Sequence, residues 1–164
     1  MESDFEKSVR EFLAREPFCL RNVSEENLAL FCTALTHDSY SNEARDMDPP
    51  RIVDSYERLE FLGDAVLEFL VCEHIFMDTD INEGPMTDYK QEKVANHMLS
   101  QRILDKGVDI DGMMRVGNGH LRGNKKSIEE NMRADCFEAL VAATYLSYGM
   151  EGARSLVRKV VLSP

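Results

Sequence analysis

The 164-residue sequence has no tryptophan, five prolines and four cysteines. Cys19, Cys32, Cys72 and Cys136 show no C-x-x-C spacing. That argues against a zinc site and for free thiols in a reducing compartment. Cys72 and Cys136 lie in apolar runs and are expected to be buried. No apolar run approaches the ~20 residues of a bilayer span, so no membrane partner is expected. Met1 to Arg10 is charged and has no signal-like apolar segment, so a cytoplasmic location is expected. Basic residues are scarce: 19 Lys and Arg stand against 30 Asp and Glu, for a formal net charge of −11. That balance argues against a sequence-independent nucleic-acid coat, but not against an enzyme with an acidic centre and a local basic rim. Strand-like alternation and internal repeats are also missing, which leaves an all-α single domain large enough for a real core.

What is present, above all, is an apolar helix that carries acids. From about Asp54 to Phe76 the chain reads as helix. Within it Glu57, Glu60, Asp64 and Glu68 fall inside an arc of about 80°. Leu59, Phe61, Leu62, Ala65, Val66, Leu67, Phe69, Leu70 and Val71 cover the other directions, the pattern of a buried helix. Neighbouring carboxylates at ~4 Å and an effective dielectric of ~20 repel by about 4 kcal/mol per pair. The stripe must border water, keep a proton or hold a cation. An ordinary wet face is the plain alternative. A second apolar helix carries Asp135 and Glu138 at i, i+3, with Ala139 and Ala142 small enough to admit a close neighbour. Two such pairs facing each other make an oxygen-only set suited to Mg²⁺, with Mn²⁺ possible. Such a set serves hydrolysis of phosphate esters.

The remaining helices follow from spacing and caps. A first helix carries Phe5, Val9, Phe12 and Leu13 and stops before Pro17. Ser24 caps a second that runs to about Leu35, and Leu35 to Tyr40 ends it. Ser41 to Ile52 reads as a polar loop, and Asp78 to Pro85 as a turn. Thr87 caps a helix through Val94, Met98 and Leu104. Ser127 caps the second acidic helix, which ends at Gly149, and a last helix spans about Glu151 to Leu162. Between them, residues 107 to 123 hold five of the nine glycines. Arg115, Arg122, Lys125, Lys126 and Arg133 lie in or near this stretch. It is either a basic loop able to follow a phosphate backbone or a solvated connector. His37 is expected to be a hydrogen-bonded structural group at a helix end.

Glu57-Arg58-Leu59-Glu60-Phe61-Leu62-Gly63-Asp64-Ala65-Val66-Leu67 resembles the signature of the ribonuclease III nuclease domain almost letter for letter. Leu35-Thr36-His37-x-Ser39-Tyr40 resembles its upstream motif, Glu83-Gly84 its acidic turn, and Ala134-Asp135-x-Phe137-Glu138-Ala139 its final acidic motif. All four stand in the family's order across about residues 5 to 162. The resemblance implies an all-α, homodimeric endonuclease domain over residues 1–164. It would cut double-stranded RNA with Mg²⁺ into 5′-phosphate and 3′-hydroxyl ends with short overhangs, and it would use no small-molecule cofactor. Carried over, Glu60, Asp64, Asp135 and Glu138 bind metal, with Asp64 and Glu138 the most sensitive to change. Glu57 and Glu83 help place the RNA or the dimer, and Phe61 enters a pocket of the partner subunit. Asp38 is a departure, adding a negative charge where the motif often has none. Many family members append a basic double-stranded-RNA-binding domain. None is expected within these residues, so RNA affinity should be weak and steeply salt-dependent. Two other functions fit less well. One is an all-α nucleoside-triphosphate pyrophosphohydrolase, for which Asp135-x-x-Glu138 is reversed. The other is a non-catalytic dimerisation or RNA-binding module, which would have no reason to keep mutually repelling acids.

Overall fold

The computed structural model describes residues 2–164. Among the described residues eight α-helices carry the fold: α1 (Asp4–Leu13), α2 (Glu25–Ala34), α3 (Asp38–Arg45), α4 (Glu57–Asp78), α5 (Glu83–Val94), α6 (Asn96–Asp105), α7 (Ile110–Met113) and α8 (Glu130–Val157). Local chemistry sets several of their ends. Ser3 and Glu6 form a reciprocal capping box on α1, and the Ser24 hydroxyl accepts from the Asn27 amide at the start of α2. Gly149 takes φ 72°, a left-handed conformation that breaks α8 into two helical segments where the sequence calls for a stop.

Three expectations need correction. The loop expected from Ser41 to Ile52 begins as helix, because His37 caps α3 by accepting from the Ser39 amide. The helix expected from Thr87 starts earlier, at Glu83, with Pro85 tolerated in its first turn. It also breaks at Ala95 (ψ 133°), so α5 and α6 are separate. Ser127 does not cap α8, whose N-cap is Glu129. The glycine-rich stretch contains a short hairpin, β1 (Leu121–Arg122) paired antiparallel with β2 (Lys125–Lys126), turning through Gly123 at φ 62°.

The core is built on α4 against α8, with α2 and α6 also laid on α8. Over Ala134–Thr144 every residue of α8 except Asp135 is buried, so this helix has neighbours on nearly all sides. Phe31, Leu67, Leu70, Phe137 and Leu140 fill the centre. At Gly63 the helices meet backbone to backbone. A Cβ added there would lie 1.7 Å from the Glu138 carbonyl oxygen. Only the absence of a side chain lets α4 touch the backbone of α8, and that contact sets the two acid-bearing segments side by side.

Gly63→Ala should therefore force the helices apart. Overpacking at a backbone contact costs about 3 kcal/mol or more. For a chain of this size that is roughly 6–12 °C in Tm, readable in a thermal melt. A melt within 1 °C of wild type would show that the crossing is not closed at this residue.

Candidate metal centre

Carboxylate oxygens of Glu60, Asp135 and Glu138 all lie within 4.8 Å of one another. Glu60 projects from the first turn of α4, and Asp135 and Glu138 lie on successive turns of α8. Glu138 is 6 % exposed, whereas Glu60 and Asp135 are half-buried. Among the described residues, none of the three accepts a side-chain hydrogen bond or pairs with a cation. Burial pushes the Glu138 carboxyl up to about 8, and the charges of Asp64, Asp135, Glu60 and Glu68 add to the shift. Burial also raises Glu60, with Asp135, Glu57 and Asp64 contributing, and burial raises Asp135. These are three acids without a counter-charge, gathered by the fold and disfavoured as anions. An all-oxygen donor set of this spacing fits a hard divalent cation.

Asp64 stands outside this trio. It is exposed on the next turn of α4 yet near enough to be the largest charge acting on Glu138. Glu57, at the start of α4, is exposed and accepts from Ser55 Oγ at 3.1 Å. Glu83 is not brought to the cluster. It lies at the far end of α4, on a cleft of about 260 Å³ with Cys72, Ile75, Phe76, Met86, Thr87 and Lys90. That is about 25 Å along the helix from Glu57. Phe61 is 85 % exposed. Cys72, expected to be buried, is exposed on the same helix; all four cysteines are free.

The basic loop is largely spent on architecture. Arg115 donates to Thr36 Oγ1 at 2.7 and 3.0 Å and is stacked between Phe5 and Tyr40. Lys126 Nζ donates to the carbonyls of Gly112 and Met114 at 2.7 and 2.8 Å. Both side chains are thus tied to the fold through these contacts. Arg122 turns back onto the carbonyls of Gly119 and Leu121, though it stays exposed, and Lys125 is exposed on the hairpin. Arg133 is not part of a basic rim. It is buried and grips Asp111 with two hydrogen bonds of 2.6 and 2.7 Å, with a third to Ser100 Oγ at 2.7 Å. Two residues before Asp135, it fixes the acidic turn of α8 against α6 and α7. The signal for this lock was legible as an arginine inside an apolar helix, but its partners lie more than 20 residues away in sequence.

His37 is structural. Its Nδ1 accepts from the Ser39 amide at 3.2 Å, and its ring stands edge-on to Tyr56 and His120. Burial lowers its pKa, and Asp38 opposes that shift.

Comparison with known proteins bears on this geometry. The family model described as ribonuclease-III-like matches residues 27–164. The chain belongs to this family. Ribonuclease 3 of the Onion yellows phytoplasma is 35% identical over 141 residues, which are 86% of this chain and 56% of that protein. Ribonuclease 3 of Bdellovibrio bacteriovorus is 38% identical over 137 residues, 82% of this chain and 54% of that protein. The chain thus spans about half the length of the curated relatives it matches. The crystal structure of the nuclease domain of ribonuclease III from Campylobacter jejuni superposes with a TM-score of 0.71 at 22% identity, covering 98% of this chain and 95% of that one. A second structure of that domain, with a TM-score of 0.70, was described for flexibility in its region involved in dimer formation. The ribonuclease-III-like fold is therefore all-α here too, and no helix among the described residues is long and apolar enough to cross a membrane.

The raised Glu138 pKa has a consequence for stability. Between its ordinary 4.5 and about 8, the folded chain holds a proton that the unfolded chain releases. The contribution is complete below 4.5 and is lost as pH rises through about 8. In metal-free buffer the Tm of Glu138→Gln should therefore exceed that of wild type by several degrees near pH 8, and the gap should shrink toward about pH 5. A gap independent of pH would contradict the protonation.

Proposed function

We propose that this chain is a nuclease domain that hydrolyses double-stranded RNA with a divalent cation, Mg²⁺ or Mn²⁺. The observation that carries the proposal is the unpaired trio of Glu60, Asp135 and Glu138, with Asp64 beside it, in a ribonuclease-III-like fold. These four carboxylates would hold the cation, and their exposed edge would admit a phosphodiester. A bound divalent ion would supply positive charge to the phosphate oxygens and lower the cost of in-line attack by water. The residues of the chain do the holding. Glu138 and Asp135 are fixed by the Arg133 lock, while Glu60 and Asp64 are fixed by the Gly63 crossing. The products would carry 5′-phosphate and 3′-hydroxyl ends. Recognition would rest on the A-form shape of the backbone, aided by Arg122 and Lys125. At net charge −11 binding would be weak and salt-sensitive.

We further propose that the domain works as a homodimer through α4. Phe61, Ala65, Phe69, Cys72 and Phe76 are all exposed. They share an arc of about 80° on the helix. Phe61 stands at one end of this stripe and the cleft beside Cys72, Phe76 and Met86 at the other. Two antiparallel α4 helices would let each Phe61 ring enter the other's cleft, which is the self-complementarity a two-fold interface requires. Glu83, on the rim of that cleft, would then approach Glu57 and Asp64 of the opposing chain. Each protomer would contribute one cutting centre, so that the two strands are cut with a short stagger.

Two measurements test these readings. Incubation with a long RNA duplex in Mg²⁺ should give short duplex products, and Glu138→Ala should lower the rate about a hundredfold or more while remaining dimeric. Release of pyrophosphate from nucleoside triphosphates without RNA cutting would overturn the assignment. Separately, Phe61→Asp should shift the chain to monomer in sedimentation, and a variant that stays dimeric would move the interface elsewhere.

A further inference from the structure

Lys93 is a lysine that the core has almost swallowed. It is 8 % exposed and, among the described residues, makes no ion pair or hydrogen bond. Its ammonium lies 4.9 Å from the centroid of the Tyr89 ring. Lysines this buried are almost always paired; here the stem is covered while the ammonium reaches solvent with no counter-charge beside it. The other core cation, Arg133, has its carboxylate at Asp111. Lys93 has none, although the chain carries 30 acids.

Its place in the fold says what it awaits. Met86, Lys90 and Lys93 follow one another at i, i+4 and i+7, so they share one face of α5. That face looks onto α4: Met86 shares the cleft of Cys72 and Phe76, and Lys90 Nζ lies 3.5 Å from Glu68 Oε1. The two helices run antiparallel, so one turn past Lys90 brings Lys93 to the level of Asp64. On the other side, just after α5, Asn96 Nδ2 donates to Asn131 Oδ1 at 3.2 Å, one turn before Asp135. By these registers Lys93 stands on the α5 side of the angle between α4 and α8 that holds the carboxylates. It pairs with none of them, which leaves its charge for a ligand held at the same point.

We propose that Lys93 is a catalytic residue whose ammonium contacts a non-bridging oxygen of the phosphodiester held at the four carboxylates. This rests on the nuclease reading above. A cation held by those carboxylates would supply positive charge to the phosphate from the α4 and α8 side. Lys93 would meet it from the α5 side, neutralising charge that grows on the phosphate oxygens as water attacks. It takes no proton and forms no bond.

The test uses Lys93→Met, which keeps the length of the buried stem and removes the charge, and Lys93→Arg, which restores the charge. Duplex cleavage in Mg²⁺, Mn²⁺ affinity by calorimetry and Tm are read on all three chains. For Lys93→Met, kcat should fall about a hundredfold. Mn²⁺ should bind as tightly or severalfold more tightly, because a like charge has left the neighbourhood of the site. Tm should hold or rise, and Lys93→Arg should regain part of the lost rate. Cleavage by Lys93→Met within about twofold of wild type overturns the role of Lys93 and leaves the nuclease reading intact. A lowered Tm with weakened Mn²⁺ binding overturns it too, as the mark of a purely structural residue. Wild-type chain that binds Mn²⁺ but cuts no duplex overturns the nuclease reading itself, without recourse to either variant.

Discussion

The repulsion among carboxylates at the crossing of α4 and α8 is the constraint on which the structure turns. Folding drives the two helices together because both are apolar nearly all round, and Gly63 lets them meet backbone to backbone. The same approach carries Glu60, Asp135 and Glu138 into one small volume. Hydrophobic burial thus holds like charges together. Burying a leucine-sized side chain contributes about 1.5–3 kcal/mol, and the faces of α4 and α8 bury many such groups. The apolar contacts therefore outweigh the strain, and protonation of Glu138 removes part of what remains. A site held under this tension favours a bound cation more than a relaxed, solvated set of acids would.

Holding the acids requires a stiff frame, and two arginines of the chain serve it. Arg133 locks α8 to α7 and α6, and Arg115 ties the glycine-rich stretch to the end of α2 through Thr36. The backbone follows the same plan: Arg115 donates to the Leu35 carbonyl at 2.8 Å, and the His37 amide donates to the Arg115 carbonyl at 2.9 Å. At net charge −11 the surface is nonetheless strongly acidic.

The sequence made the site legible because its signal is local. Acids at i, i+3 and i+4 inside an apolar helix conflict with burial over a stretch of a dozen residues, and no folding of the remaining chain is needed to see it. The helices of α1, α2, α4 and α8 were legible for the same reason, through caps and apolar spacing. The ties made by the basic loop were not legible, because composition cannot tell a free guanidinium from a bonded one. Arg115 and Thr36 are 79 residues apart. Arg133 reaches Asp111 across 22 residues. Lys93 escaped attention for a related reason: a lysine in a polar helix reads as solvated, and only the packing of α5 on α4 buries it. His37 was expected at a helix end and caps one, but α3 itself was missed through a short-range choice, since a histidine cap competes with a loop on nearly equal terms.

The division of labour on α4 links the proposed assembly to the proposed chemistry. Its acidic arc and its exposed apolar arc are adjacent, and each spans about 80°. A partner docked on the apolar arc must therefore overhang the edge of the acidic one. In an antiparallel pair the overhanging element is the start of α5, with Glu83 at its tip. The pair would thus add an acid to the rim of a site already short of positive charge. Metal affinity in the dimer would then depend on the distance between helices set by Phe61 in its cleft. One exposed ring would act on both the assembly and the site, which is more than its place in an apolar stripe suggests. A substitution at Phe61 that merely loosens the dimer would be felt at Asp64 before any carboxylate had been altered.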